Sequence, residues 1–397
     1  MSNRKLQTTH WLLLGRIIYS LKTHISLLFL LFQNLSFAQS EIPMGTWRAH
    51  ISFNNIHAIA ISDTKVYGAS QNGLLIIDRQ DQSVSTLSKI DGLHGTTITA
   101  MNYFGDGSKI LIAYLDGKID VVKGNDVRTI DLTGGVSLPG SKRINHIAIR
   151  DGLAYIATDY GVVTLDLSSD DVKETWRDIG EAGQTAKIFK STFNGDSIFL
   201  ATDKGVFAGD IKTNLLDYNF WRRFDTGDFE GPIQSIEAFN GRIYAIVKGT
   251  GLCRYEAGQW MKEIFLESQP LQFLNASPDN LLISSGNMLW RLSEDNTLMP
   301  IVSEKLTGSN MAIEEMDGRL WIADSQNGIV SEYSGVSINY LPNGPSNATV
   351  HKLVYHEKVI YAVGPVLSEY APSRVPGKVD AFSEGTWSSQ NSAMSDL

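Results

Sequence analysis

The chain has 397 residues, 43% of them hydrophobic, with 34 Lys+Arg against 43 Asp+Glu and a formal net charge of −9. An acidic balance of this kind argues against nucleic acid as a partner and against electrostatic adhesion to anionic lipid. Cys253 is the single cysteine, which excludes an internal disulfide, so packing alone must hold the fold together.

The N-terminus comes first in chain order. Arg4, Lys5, Arg16 and Lys22 are its only charged residues as far as Asn34, and the apolar run Ile25–Phe32 leads into Ser36-Phe37-Ala38. A basic region, an apolar region and a small-x-small ending describe a secretory signal over residues 1–38, cleaved after Ala38. A membrane anchor is the competing reading, but Arg16 and Lys22 interrupt any span of about 20 apolar residues. No Cys follows the apolar run, which closes the lipoprotein route. The signal holds four basic and no acidic residues, so the remaining 359 residues carry −13. The expectation is an exported protein, periplasmic or on the outer-membrane surface.

From Ile56 onward one sentence repeats. A short apolar run recurs as Val66–Ser70, Ile110–Tyr114, Ala154–Thr158, Ile198–Thr202, Ile243–Val247, Leu281–Ser285, Leu320–Asp324 and Ile360–Gly364. Start-to-start spacings are 44, 44, 44, 45, 38, 39 and 40 residues. A period of that length with about four strands per unit predicts an all-β protein, a β-propeller of four-stranded antiparallel blades. Within a unit, Asp151-Gly152, Asn194-Gly195, Asn240-Gly241 and Asp317-Gly318 read as hairpin turns that tolerate positive φ. The repeated run is apolar almost without alternation, so both faces of that strand must be covered, as they are when blades stack. Its fourth position is small (Ala69, Ala113, Ala157, Ala201, Ser284, Ala323), with Ile246 and Val363 as departures. The outer strand of many units carries Trp (Trp47, Trp176, Trp221, Trp260, Trp387), followed by Arg at Arg48, Arg177 and Arg222. Such residues are either stacking platforms for sugar rings or fillers of the widening wedge between blades. Their recurrence at one place in the unit favours filling.

The phrases KIDGLHGTTITAM (Lys89–Met101) and RLWIADSQNGIVSEY (Arg319–Tyr333) resemble the repeat of two-component-regulator propellers. Phe37-Ala38-Gln39, GTWRAH (Gly45–His50), YLPNGPSN (Tyr340–Asn347) and RVPGKVDAFSEGTW (Arg374–Trp387) carry a closer resemblance, to the N-terminal propeller of PorZ-like proteins. The resemblance implies a cell-surface component of the type IX secretion system, working beside a sortase-like protease and an outer-membrane shuttle. It further implies a role in joining cargo to anionic lipopolysaccharide, and family members carry a second propeller and a sorting domain. The alternative it leaves open is a glycan-binding sensor propeller of a two-component regulator.

Chemistry is sparse. His50, His57, His94, His146, His351 and His356 form no His-x-His or His-Glu-x-x-His pair, and Asp126, Asp170 and Asp171 lack the acidic ladder of a calcium loop. Gly134-Gly135 reads as a connector, and Cys253 in LCRY as a buried, inert thiol. No catalytic residue, cofactor site or metal ligand is assigned, the binding residues are unknown, and no enzymatic activity is expected.

Domain organisation follows from the repeat. Units one to seven run from Ile56 to about Asn347, so seven blades are expected over 39–348. Residues 349–397 then begin a second, truncated ring, with an eighth blade closing a single ring as the alternative. Gly45-Thr46-Trp47 repeats as Gly385-Thr386-Trp387, which makes the first copy an outer strand free to pair with a late blade. The stop within NSAMSDL reads as an incomplete gene.

Overall fold

The computed structural model describes residues 47–135, 138, 140–267, 269–364, 367–368, 371–372 and 378–391. The signal read over 1–38, and Gly45-Thr46, lie outside them. The chain divides at Arg48 into two compact units; everything below concerns the second, from Ala49 onward.

Among the described residues, eight four-stranded antiparallel sheets follow one another, at residues 58–88, 98–131, 144–176, 188–224, 233–262, 273–301, 309–340 and 352–391. Each is a meander with its strands in sequence order; sheet 8 also carries the short pair Leu367–Ser368 and Ala371–Pro372 between its second and third strands. The second strand of each of sheets 1 to 7 is the apolar run of the repeat, and it is covered on both faces. Ala69, Ala113, Ala157, Ala201, Ser284 and Ala323 are all fully buried. Small side chains there let neighbouring sheets approach.

The apolar residues between sheets fall into seven clusters, one at each junction: 1–2, 2–3, 3–4, 4–5, 5–6, 6–7 and 7–1. The last of these closes a ring. Trp321, Ala323, Ile329 and Tyr340 of sheet 7 pack on Phe53, Ile56, Ile59, Val66, Leu75 and Ile77 of sheet 1 and its lead-in. The seam is polar at its edges. Ile56 N donates to Asp324 O at 3.0 Å, Gly328 N to Asn54 O at 2.9 Å, and Arg79 pairs with Glu315. Sheets 1 to 7 therefore form a seven-bladed ring, and the eighth sheet lies outside that closure.

Sheet 8 differs accordingly. Its first strand, Lys352–His356, is exposed at every position, with Leu353 64% and Tyr355 71% accessible. It is held to the ring through the segment after sheet 7: the fully buried Asp380 accepts Ser346 N (3.0 Å), Ser346 Oγ (2.7 Å) and Asn347 N (3.2 Å).

Two expectations need correction. Residues 47–57 contain no strand, so the outer strand expected at Trp47 does not form. The ring closes by stacking complete sheets, which leaves no vacancy for a borrowed one. Of the four expected hairpin pairs, Asp151-Gly152 (φ 50°, 75°) and Asn240-Gly241 (φ 48°, 70°) have both residues in the left-handed region. Asn194 instead pairs with Ser197 and sends its side chain to Gly241 O at 3.0 Å, so that turn is Gly195-Asp196. Asp317-Gly318 sits in a longer connection between Glu314 and Leu320.

Candidate functional site: the bulged rim of the ring

Every inner strand of the ring starts with the same irregularity. In sheets 2, 3, 4, 5 and 7 the register slips by one residue at Thr99, Asn145, Phe189, Gln234 and Asn310. In sheets 1 and 6 the residue before the strand does the same: His57 N donates to Ala69 O and Gln272 N to Ser284 O, carbonyls of residues that already pair with Ala58 and Phe273. A bulge re-aims the side chain of the extra residue. The result is a rim of seven equivalent positions, six of them polar or ionisable. Two tie neighbouring sheets together: Asn145 Nδ2 donates to Ile188 O at 2.8 Å, and Asn310 Nδ2 to Ile56 O at 2.7 Å.

Four of the other positions line two cavities on this rim. One of about 370 Å³ is bordered by His57 and Thr99 with Asn55, Gln71 and Arg143. Burial holds His57 down at about 4, against a weaker upward pull from the Ile98 backbone, so the ring is neutral at physiological pH. The other, of about 480 Å³, is bordered by Gln234 and Gln272 with Lys248, Gln269 and the turn at Gly249–Gly251. Both volumes lie in the range of small-molecule sites.

Further along the inner strands Lys190 of sheet 4 reaches past its neighbour. Its Nζ contacts Glu237 Oε2 of sheet 5 at 2.7 Å and Leu274 O of sheet 6, while Thr192 Oγ1 donates to Glu237 Oε1 at 2.9 Å. Beside them His146 is held neutral, down at about 3, by burial and by the Lys190 charge.

A third cavity, about 330 Å³, brings together His94, Tyr114 and Asp116. It has the ingredients of acid–base chemistry without the arrangement. His94 Nε2 meets the exposed Asp116 at 3.0 Å, whereas Tyr114 OH donates to Asp120 at 2.6 Å. Burial, and then Asp120, push the Tyr114 phenol far up. Asp120 is itself a loop anchor, fully buried and accepting from His94 N at 2.7 Å and Thr129 Oγ1 at 2.6 Å. Asp324 does the same for Thr307 N and Gly308 N, as Asp380 does for the link to sheet 8.

The residues singled out from the sequence are placed as follows. Trp176 and Trp221 are buried against each other with ring centroids 5.9 Å apart, and Trp260 packs on Phe229 (4.7 Å) and Tyr255 (5.1 Å). These are wedge fillers, not open platforms. Cys253 is buried, and desolvation raises its thiol to about 11. Asp170 pairs with Lys109 at 2.7 Å in a turn, and His356 lies exposed beside Glu357. Gly134 and Gly135, at φ 60° and 77°, occupy the connection from sheet 2 to sheet 3. Among the described residues no cluster of His, Cys, Asp and Glu could hold a metal ion.

Residues 66–222, the greater part of sheets 1 to 4, match the family model of the TSS9 protein PorZ, N-terminal β-propeller domain. The match covers 157 of the 397 residues, less than half of the chain. The PorZ structure of Porphyromonas gingivalis, described as an essential bacterial surface component of the type-IX secretion system, superposes with a TM-score of 0.72 at 15% identity. That alignment covers 87% of this chain and 46% of that one, so the chain spans about half the length of PorZ. The extracellular domain assigned to the hybrid two component system BT3049 of B. thetaiotaomicron follows at 0.55, with 13% identity over 84% of this chain and 47% of that one. The WD40 propeller of Doa1 scores 0.55 at 11% identity, over 72% and 94%. At these identities the likeness to PorZ and the others is one of fold. No curated protein matches the chain.

Proposed function

We propose that the chain is a non-catalytic scaffold of a type IX secretion system, exported to the periplasm or cell surface, where it supports cargo maturation and attachment. The observation that carries this reading is the PorZ match over residues 66–222. The same reading supplies the partners, a sortase-like protease and an outer-membrane shuttle, with anionic lipopolysaccharide as the acceptor of cargo. A propeller suits such work because the ring is rigid and its loops are free to vary. Residues from 349 on fit the first blade of a second ring, since sheet 8 leaves Leu353 and Tyr355 uncovered.

The test is purification of the tagged protein from its native envelope. Co-purification of sortase and shuttle components, with loss of cargo attachment on deletion, is the expected result. A deletion strain with normal cargo on its surface would contradict it. The second reading, a glycan-sensing propeller of a two-component regulator, is favoured by the likeness to the BT3049 ectodomain. It requires deletion to alter transcription in response to glycan and to leave secretion intact.

A further inference from the structure

Four sheets of the ring place a glycine where the third strand begins, and each is forced to be glycine by its surroundings. A Cβ on Gly73, Gly161, Gly205 or Gly328 would collide with Leu87 O, Trp176 O, Phe224 O or Tyr340 O, the end of the same sheet's outer strand. The outer strand covers the turn. Sheets 2, 5 and 6 depart from this pattern, and in sheet 5 the departure opens a cavity. The sheet 5 turn, Lys248-Gly249-Thr250, is one residue longer than the two-residue turns of sheets 1, 3 and 4. A Cβ added at Gly249 or Gly251 would meet nothing within 4 Å. The outer strand Gln259–Lys262 ends early, and after Glu263 N caps Leu252 O at 2.9 Å no further strand covers the turn. The uncovered space is the 480 Å³ cavity.

What lines the gap is chemically selective. Three carboxamides, Gln234, Gln269 and Gln272, carry adjacent donors and acceptors, a geometry that matches vicinal hydroxyls, with Gln269 Oε1 also accepting from Ser285 Oγ at 3.4 Å. Lys248 is exposed and has no carboxylate partner among the described residues. The acid on the rim, Glu267, is already taken by Lys262 at 2.6 Å. The floor, Val247 and Leu271, is buried and apolar. The open glycine turn lets a ligand approach the backbone closely.

We propose that this notch between sheets 5 and 6 binds a small polyhydroxylated carboxylate, a sugar acid. Lys248 takes the carboxylate, and the carboxamides take the hydroxyls. The inference rests on the broken repeat and stands independently of the secretion-system reading.

The test is calorimetric titration of the full chain with D-glucuronate and with D-glucose as the neutral counterpart. Glucuronate should bind at least tenfold more tightly than glucose. Lys248→Gln should remove that preference, and Gln272→Ala should weaken both sugars. Both side chains are exposed, so melting temperatures should not move. Arg143→Gln, in the other rim cavity, should leave binding unchanged. Absence of glucuronate binding, equal binding of glucose, or wild-type affinity in both notch variants would each overturn the proposal. So would loss of binding in Arg143→Gln with retention in Lys248→Gln.

Discussion

Trp387 Nε1 donates a hydrogen bond to His50 Nδ1 at 3.0 Å, across 337 positions of sequence. The two rings also meet edge-on, 5.5 Å apart, and Phe382 packs against both, 4.8 Å from the imidazole and 5.1 Å from the indole. Trp387 belongs to the outer strand of sheet 8, and His50 to the lead-in of sheet 1. With Asn343, which exchanges hydrogen bonds with the Trp387 backbone, this contact is the latch between the closed ring and the sheet outside it.

The latch should be separable from the ring. Trp387→Ala is expected to lower hydrogen-exchange protection across 378–391 while leaving sheets 1 to 7 as protected as before, because the seven junction clusters do not include it. Equal loss of protection in sheets 1 and 7 would show that the latch closes the ring.

The seam between sheets 7 and 1 should behave as core. Ile56 is fully buried in it, so Ile56→Ala should cost about 2–5 kcal/mol in denaturant unfolding, the range for a truncated buried aliphatic. Leu353→Ala, on the uncovered face of sheet 8, should stay within about 0.5 kcal/mol. Similar losses at the two positions would mean that sheet 8 is also packed on both sides.

How far the sequence anticipates this arrangement depends on which physical signal a residue carries. The apolar runs from Val66–Ser70 to Leu320–Asp324 are legible because a strand covered on both faces has no alternation, and their spacing then implies stacked sheets. The tryptophans at 176, 221 and 260 are legible as wedge fillers because they recur at one place in the unit. The rim is not. Bulges at Thr99, Asn145, Phe189, Gln234 and Asn310 leave no compositional trace, since they are a slip of register between strands and not a residue type. Asp120, Asp324 and Asp380 did leave a trace, a lone acid in otherwise apolar runs (KIDVV, LWIAD, KVDAF), which marks a buried carboxylate that must be fed by hydrogen bonds. Primed turns without an Asn-Gly or Asp-Gly pair, such as Ser334-Gly335 and Glu384-Gly385, show that backbone geometry can impose left-handed φ on residues that do not advertise it.

Stability should fall on mild acidification. His57 and His146 are held at about 4 and about 3 by burial, below the ordinary value of 6.5. The unfolded chain therefore binds more protons than the folded one through this window. The stability they contribute is fully present above about 6.5 and is lost as pH drops toward 4. A double variant, His57→Gln with His146→Gln, should flatten the slope of unfolding free energy between pH 6.5 and 4.5. An unchanged slope would assign the effect to other groups.

Lys190 and Glu237 should be worth more as a pair than either is alone. Lys190→Met leaves a half-buried carboxylate with only Thr192 Oγ1 and the Ala238 N–H as donors and is expected to cost about 3–5 kcal/mol. Adding Glu237→Leu removes the orphaned charge and should recover part of that loss, a coupling that a double-mutant cycle measures directly. Additive losses would mean that the two side chains act separately.

The central claim is that seven sheets close the ring without the eighth. Thermal unfolding of a chain truncated after Asn347 tests it most directly. The account predicts a single cooperative transition, within a few degrees of that of the longer chain, because all seven junction clusters lie before that point. Loss of a cooperative transition on removing residues 348–397 would show that sheet 8 is needed for closure and would contradict the account.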